Sequence, residues 1–388
     1  MSELFIAAGG GGDPLGAAIT AAALGVTEPT IATYAWERPE VDPTPGPLGA
    51  ADFDGLERAA EGPLFSPRTR PVGPAGSTLP RLAGDLPGRL VLMDPTAGLR
   101  ALAEQVFRMA SCGYHRVHVV DIGGDVLTHG DEPTLASPLP DAMVLAACRI
   151  AGVDATVYVA APGADGEVPR SEVVARSESS RITPGAYAVE AAGAALSWHP
   201  SEASALFAAA IEGERGTVRT VTRSLELTDD SAGVRRQTLD GAIGHNVVAQ
   251  ALVEKRPGTL EEAADLSAGL TGLHEIERER QHGPPHGPQH GRPHERQQGP
   301  HHERRDPDSH RTPPDSARPL TSRDTLREAL RTEPSDASHA TFRFAARALG
   351  LPWEHIPALR NALSAKGPLL TLARTGRDMG AVAGRPYA

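Results

Sequence analysis

The chain begins with an apolar stretch that runs directly into four consecutive glycines. Residues 4–8 read Leu-Phe-Ile-Ala-Ala, residues 9–12 are all glycine, and Asp13 and Pro14 precede a second apolar stretch. This order predicts a buried strand, a tight turn, and a helix with Asp13 as N-cap and Pro14 at its first position. Because glycine lets the backbone approach a bound group and a helix start favours negative charge, the turn is typical of a ligand-binding loop.

Asp13 restricts what this glycine-rich loop can hold. A carboxylate at the start of a helix occupies the place of an anion, so the loop holds either a phosphate beside a metal ion or a neutral or cationic group on Asp13. The spacing differs from G-x-G-x-x-G and from the P-loop, whose Lys-Ser/Thr pair is absent. A purely structural turn is the alternative interpretation. The predicted ligand contacts in the loop are Gly9, Gly10, Gly11, Gly12 and Asp13.

Apolar runs alternate with helical patterns along the rest of the first 270 residues. The strands predicted after the first cover residues 30–35, 79–82, 89–94, 116–121 and 155–160. Strands that alternate with helices predict an α/β fold with a doubly wound, mainly parallel Rossmann-like sheet. Such sheets bind ligands at the carboxyl ends of their strands, and those ends combine glycine with Asp or Glu in this chain.

A second acidic loop follows the strand predicted at residues 116–121. Asp121 ends that strand, Gly123 and Gly124 turn the chain, and Asp125 returns toward the same place. Paired carboxylates bind a divalent cation, hold an ammonium or guanidinium group, or divide acid and base roles. We therefore expect Asp121 and Asp125 to be catalytic residues and metal ligands, with both glycines at the ligand. In the alternative interpretation both acids only accept backbone N–H groups of the turn.

Further polar side chains are expected at the same edge of the sheet. His129 is a candidate acid or base in the second loop, and Ser137 lies at the start of the next helix. A third loop repeats the pattern with Asp165 and Glu167. Because so many carboxylates repel one another, a Mg²⁺-like ion, a cationic substrate or arginines must balance their charge.

A proline-rich loop follows the strand at residues 30–35. It begins with Trp36, Glu37 and Arg38, and the prolines after them exclude a helix or a central strand. We expect Trp36 and Arg38 to contact the ligand, with the loop forming a wall or lid over the site. A surface connection that packs its tryptophan on the core is the alternative.

Composition divides the chain into three parts. Residues 1–273 carry the α/β pattern and form the predicted ligand-binding or catalytic domain. Residues 274–319 are rich in His, Pro and Gly and cannot bury enough apolar surface to fold, which predicts a disordered insertion. Residues 320–388 resume helical patterns and are predicted to form a helical C-terminal cap on the first domain.

The charge and the apolar content exclude several kinds of partner. A net charge of −11 argues against general binding to nucleic acid or to an anionic membrane. Neither a run of eighteen apolar residues nor a secretory leader is found, so a cytoplasmic location is expected. A small molecule is the expected partner, and a homo-oligomer is left open.

Four motifs together resemble a known family. They lie at residues 9–13, at 36–38 with 42–47, at 121–125 with 137–141, and at 163–167. Together they resemble the family catalogued as domain of unknown function 1152. The resemblance covers roughly residues 3 to 270 and extends to the last sixty, with the histidine tract as an insertion. It implies a prokaryotic origin and no assigned chemistry, so it supplies no catalytic residue.

These observations predict a small-molecule enzyme. The expected reaction is hydrolysis or group transfer on a phosphorylated or nucleotide-like metabolite, assisted by a divalent cation at the Asp-rich site. Mg²⁺ is the candidate cofactor, and neither flavin nor nicotinamide is expected because the dinucleotide fingerprint is mismatched. The first alternative is a non-catalytic metabolite sensor or partner-binding protein. The second is a metal-free enzyme for an amine or guanidinium substrate.

Overall fold

A large mixed sheet with helices on both faces forms the centre of the protein. The computed structural model describes residues 2–282 and 337–372. Its strands are β1 (Leu4–Ala7), β2 (Thr30–Tyr34), β3 (Phe53–Asp54), β4 (Glu57–Arg58), β5 (Pro63–Leu64), β6 (Arg70–Pro71), β7 (Arg89–Met93), β8 (Val117–Ile122), β9 (Ala155–Ala160), β10 (Arg181–Ile182), β11 (Gly216–Arg219), β12 (Ser224–Leu227), β13 (Val234–Thr238), β14 (His339–Ala340) and β15 (Leu370–Thr371).

The helices pack on the two faces of this sheet and on its C-terminal extension. They are α1 (Asp13–Ala23), α2 (Leu79–Asp85), α3 (Leu99–Ala110), α4 (Pro138–Ile150), α5 (Arg170–Arg176), α6 (Ala186–Glu190), α7 (Gly193–Leu196), α8 (Glu202–Ile211), α9 (Leu239–His245), α10 (Val247–Lys255), α11 (Leu260–Thr271), α12 (Glu275–His282), α13 (Phe342–Ala348) and α14 (Ile356–Leu363). In the described part of the chain, none combines the length and the apolar character needed to cross a membrane.

The main sheet has nine strands in the order β10-β13-β9-β8-β1-β2-β7-β5-β4. The five central strands, from β9 to β7, are parallel, and the strands outside them pair antiparallel. This confirms the predicted doubly wound, mainly parallel α/β fold. The chain builds outward from β1 through β2 and β7 on one side, and through β8 and β9 on the other. The strand order therefore reverses between β1 and β8, the switch point where such sheets bind ligands.

The central strands form because both of their faces are covered. Leu4 and Ile6 of β1 pack into the core on one face, whereas Phe5 and Ala7 pack into the core on the other. A strand buried on both sides has to be apolar at every position, since successive side chains point to opposite faces. This requirement explains the uninterrupted apolar runs in the sequence.

Two local predictions are wrong. Asp13 is the first residue of α1 rather than its N-cap, and Gly12 occupies the cap position. Residues 79–82 belong to helix α2 and not to a strand. Pro80 fits in the first turn of a helix, where its missing N–H has no intrahelical partner to lose, and Leu79 and Leu82 share one buried face three residues apart.

The C-terminal part of the described chain joins the α/β domain through a second sheet. Its strand order is β12-β11-β14-β15, and β14 lies parallel to β11. Helices α13 and α14 bury a small separate core around Phe342 and Leu359. Helix α12 lies within the range that the sequence assigned to the insertion, and it folds because Ile276 packs into the main core. The rest of that predicted insertion lies outside the described residues.

Candidate functional site

A cavity of about 240 Å³ lies at the carboxyl ends of β1 and β8, at the switch point of the sheet. The glycines at positions 9 to 12 form part of its wall. The carboxylates that line it are Asp13, Glu37, Glu40, Asp121, Asp125, Asp141, Asp165, Glu167, Glu202, Glu275 and Glu279. The arginines that line it are Arg38, Arg223, Arg278 and Arg343. Acids greatly outnumber arginines, so the cavity favours a ligand that brings positive charge.

Three of these acids form what we call the carboxylate triad: Asp13, Asp121 and Asp141. They come from the first turn of α1, from β8 and from the first turn of α4, and each offers an oxygen within 4.8 Å of the others. Within the described residues, Asp121 Oδ2 and Asp141 Oδ1 are buried without a hydrogen-bond partner. A buried carboxylate oxygen without a partner is costly, and a cation bound by all three groups removes that cost.

The raised pKa values of the three triad acids also indicate that positive charge is lacking at this place. Burial raises the pKa of Asp13 to about 7, although a hydrogen bond from the Gly9 N–H lowers it in part. Burial and then the charge of Asp141 raise the pKa of Asp121 well above its usual range. Burial and then the charge of Asp125 raise the pKa of Asp141 in the same way. Without a cation the protonated forms of the triad are therefore favoured, and a divalent ion at this place would compete with those protons.

The glycine-rich loop allows this close approach of the acids. The Gly9 N–H donates to Asp13 Oδ2 at 2.5 Å, and a Cβ on Gly9 would lie 3.0 Å from Asp141 Oδ2. A Cβ on Gly12 would lie 2.0 Å from the Oγ of Ser201. Since Asp13 itself receives the loop N–H, the position predicted for an anion at the helix start is already taken. The loop is thus arranged around a carboxylate.

Asp125, Asp165 and Glu167 form a second group, the Glu167 cluster, whose oxygens also lie within 4.8 Å of one another. The Ser137 N–H and the Ser137 hydroxyl donate to Glu167 at 2.7 and 2.6 Å, and the Ala136 N–H donates at 2.8 Å. These three donors lie at the start of α4, and their hydrogen bonds occupy lone pairs of the Glu167 carboxylate. The cluster is therefore less suited to a cation than the triad is.

The structure divides the predicted metal pair between these two groups. Asp121 belongs to the carboxylate triad and Asp125 to the Glu167 cluster, although their side chains are hydrogen bonded to each other. Burial and then the charge of Asp121 raise the pKa of Asp125 well above its usual range. Asp125 is thus placed beside the triad as a proton-holding group. Asp141, and not Asp125, lies with Asp13 and Asp121 in the carboxylate triad.

Gly123 and Gly124 were predicted to contact the ligand but are not among the residues that line the cavity. Both have a positive φ, at 126° and 124°. A Cβ on Gly123 would lie 2.1 Å from the Asp165 carboxyl carbon, and one on Gly124 would lie 2.5 Å from a methyl group of Val173. They let Asp165 and helix α5 pack against the turn.

His129 also lies outside the cavity lining. Glu132 accepts hydrogen bonds from the N–H groups of His129 and Gly130, at 2.8 and 2.9 Å, and this tight turn leads the histidine away from the triad. The His129 ring is exposed and its Nε2 lies 3.4 Å from Nδ1 of His245. His129 is therefore not part of the candidate site, although it is close to Asp125 in the sequence.

Trp36 and Arg38 both line the cavity, as the sequence predicted. The Trp36 indole N–H donates to Glu279 at 3.1 Å, which ties the proline-rich loop to α12. Glu275, also on α12, accepts from the Leu139 N–H at 2.6 Å at the start of α4. The loop is thus one ordered wall of the cavity.

The sequence reasoning placed Asp141 at the start of a helix near the second loop without assigning it to the site, and it missed Glu202, Glu275 and Arg343. Asp141 carried a weak signal, an acid in the first turn of a helix that begins with two prolines. The other three lie on helices whose position depends on tertiary packing. No sequence pattern predicts that these three residues line the cavity.

The fold and the site define a class: a doubly wound α/β protein with a carboxylate-rich cavity at its switch point. Residues 4–282 match the family described as protein of unknown function (DUF1152), so the chain belongs to that family. This confirms the resemblance seen in the sequence. No curated protein and no solved structure matches the chain significantly.

Proposed function

We propose that the cavity binds a divalent cation, Mg²⁺, and hydrolyses or transfers a group of a phosphorylated or nucleotide-like metabolite. The observation that carries the proposal is the carboxylate triad with its two buried, unpaired oxygens. Carboxylate oxygens are the ligands that Mg²⁺ prefers, and the ion usually keeps water and substrate phosphate as its remaining ligands. A bound cation of this kind neutralises developing charge and activates water. The cytoplasmic location stays a prediction.

Asp125 is the side chain that we assign to proton transfer. Its carboxyl is hydrogen bonded to Asp121, and its pKa is raised by burial and by that neighbour's charge. A cation held by the triad would offset the charge of Asp121 and would therefore lower the pKa of Asp125. Asp125 then accepts the proton of the attacking water or hydroxyl group. Asp165 and Glu167 support it from the same cluster.

An amine or guanidinium substrate bound without a metal is the second candidate. The same unpaired oxygens of Asp121 and Asp141 favour it, because an ammonium group donates hydrogen bonds to carboxylates in such a pocket. In a sensor, by contrast, the ligand would bind at the same place without turnover. Binding and turnover therefore have to be measured separately.

The first experiment titrates the full chain with Mg²⁺ by calorimetry, comparing wild type, Asp141→Asn and Asp154→Asn. Asp154 is an exposed acid just before β9, at the end of the sheet opposite the cavity, and serves as the matched control. The histidine tract does not interfere, since Mg²⁺ prefers oxygen ligands over imidazole. We expect Asp141→Asn to bind Mg²⁺ at least about tenfold more weakly and Asp154→Asn to bind as wild type.

Equal binding by wild type and Asp141→Asn would remove the triad as the metal site. Binding of guanidinium or an alkylamine by wild type, without any binding of Mg²⁺, would favour the metal-free enzyme. A screen of phosphorylated compounds with Mg²⁺ then separates enzyme from sensor, because only an enzyme releases product.

A further inference from the structure

One of the residues that line the cavity lies beyond the family match, which ends at residue 282. Arg343, in helix α13, lines the cavity together with loops of the α/β domain. The residues just before it, β14 and Thr341, are anchored in that domain. Strand β14 pairs with β11, and the Thr341 hydroxyl donates to Glu202. The segment 337–372 therefore completes the site of the main domain.

Arg343 is held in place by acids from two different elements. It forms ion pairs with Glu40, in the proline-rich loop, and with Glu202 of α8 at 3.7 Å. Glu202 is itself fixed by the Val221 N–H, which donates to it at 3.0 Å. The side chain of Arg343 is 20% exposed. Its guanidinium is thus positioned before any ligand arrives, which reduces the entropy cost of binding.

Arg38 offers a second guanidinium to the same cavity, and it is far less constrained. Its side chain is 55% exposed, and among the described residues it makes a single ion pair, with Glu167 at 3.7 Å. Burial, and then the positive charges of Arg38 and Arg347, lower the pKa of Arg343 to about 9. Two like charges in one cavity repel each other, and an anion bound by both removes that repulsion.

We propose that Arg38 and Arg343 bind the phosphate group of the substrate, on the side of the cavity supplied by the C-terminal segment. This rests on the proposed function and specifies it: the phosphate is recognised by the two arginines while the carboxylate triad holds the cation. The start of α1 does not take the phosphate, because the Asp13 carboxylate already receives the loop N–H. Guanidinium groups match the geometry of phosphate oxygens and bind them in pairs of hydrogen bonds.

The test measures binding of inorganic phosphate to the full chain by calorimetry, with and without Mg²⁺. The variants are Arg38→Gln, Arg343→Gln and Arg343→Lys, and the control is Arg347→Gln. Arg347 lies one turn further along α13, is exposed and does not line the cavity. We expect both Gln variants to bind phosphate about tenfold to a hundredfold more weakly than wild type, with Arg343→Lys between them and wild type. The control binds phosphate as wild type does.

Titration of the same variants with Mg²⁺ alone separates this inference from the proposed function. We expect the arginine variants to keep the Mg²⁺ affinity of wild type, since neither arginine belongs to the triad. Phosphate binding that depends on the arginines but not on Mg²⁺ would support the anion site and contradict the cation-assisted function. Wild-type phosphate affinity in folded Arg38→Gln and Arg343→Gln, or no phosphate binding by wild type, would overturn the inference. Arg38→Gln keeps the test valid if Arg343→Gln fails to fold, because Arg38 is largely exposed.

Discussion

Replacing Asp13 with Asn should stabilise the cation-free protein, and more so as the pH rises. Burial raises the pKa of Asp13 from 3.8 to about 7, so the folded protein binds a proton that the unfolded chain has released. The unfolding free energy therefore falls with rising pH between these two values, at about 1.4 kcal/mol per pH unit. The Asn side chain carries no titrating proton and retains an acceptor for the Gly9 N–H.

The size of the change in unfolding free energy follows from the pKa of Asp13. From about pH 5 to about pH 7, wild type should lose roughly 2 kcal/mol of stability relative to Asp13→Asn. Burial lowers the pKa of His118 and of His199, but the effect of these histidines on stability cancels because both proteins contain them. The assay is urea unfolding of both proteins in a chelator at three pH values.

Adding Mg²⁺ at about pH 8 should reduce this difference. A cation that binds only the folded state stabilises wild type by about 2.7 kcal/mol at a hundredfold excess over its dissociation constant. The Asp13→Asn protein, with one ligand fewer, should gain much less. A stability difference that does not change with pH, or that grows in favour of wild type without Mg²⁺, would refute the reasoning.

Three further outcomes are expected. Gly12→Ala should destabilise the protein by about 1–3 kcal/mol in urea unfolding, because the new Cβ would lie 2.0 Å from Ser201 Oγ; an unchanged midpoint would contradict this contact. His129→Ala should leave Mg²⁺ and phosphate affinities unchanged in calorimetry, since His129 lies outside the cavity, and a large loss would return it to the site. Glu132→Gln should cost about 2 kcal/mol, because the nearly buried Arg176 guanidinium loses one of its two carboxylate partners, at 2.5 Å, and keeps only the more exposed Glu172; thermal melting within a degree of wild type would disprove that role.

The central strands could be predicted because their burial imposes a simple pattern. β9 coincides with the predicted strand at residues 155–160, and β1 with most of residues 4–8. Both lie between covered faces, so neither shows the alternation of apolar and polar residues that is typical of a half-exposed strand. Asp121 was placed correctly at the cavity for a related reason, since a carboxylate at the end of a buried parallel strand reaches the ligand edge of the sheet.

Other members of the site depend on packing that no local pattern encodes. Asp141 lies beside the other two acids of the triad because α4 begins against the glycine-rich loop. Glu275 reaches the start of α4 only because α12 packs there. Arg343 arrives from a segment more than a hundred residues beyond Glu202 in the sequence, through the pairing of β14 with β11. The strand at 79–82 was wrongly predicted because a segment of four residues is too short for its pattern to distinguish a strand from a helix.

The ends of the main sheet affect how the protein behaves at high concentration. β10 at one edge and β4 at the other are each two residues long, and both β4 residues are exposed and charged. Long, flat edges with free N–H and C=O groups recruit strands from other molecules, whereas short charged edges do not. The two edges of the main sheet therefore resist strand-by-strand association with the sheets of other molecules.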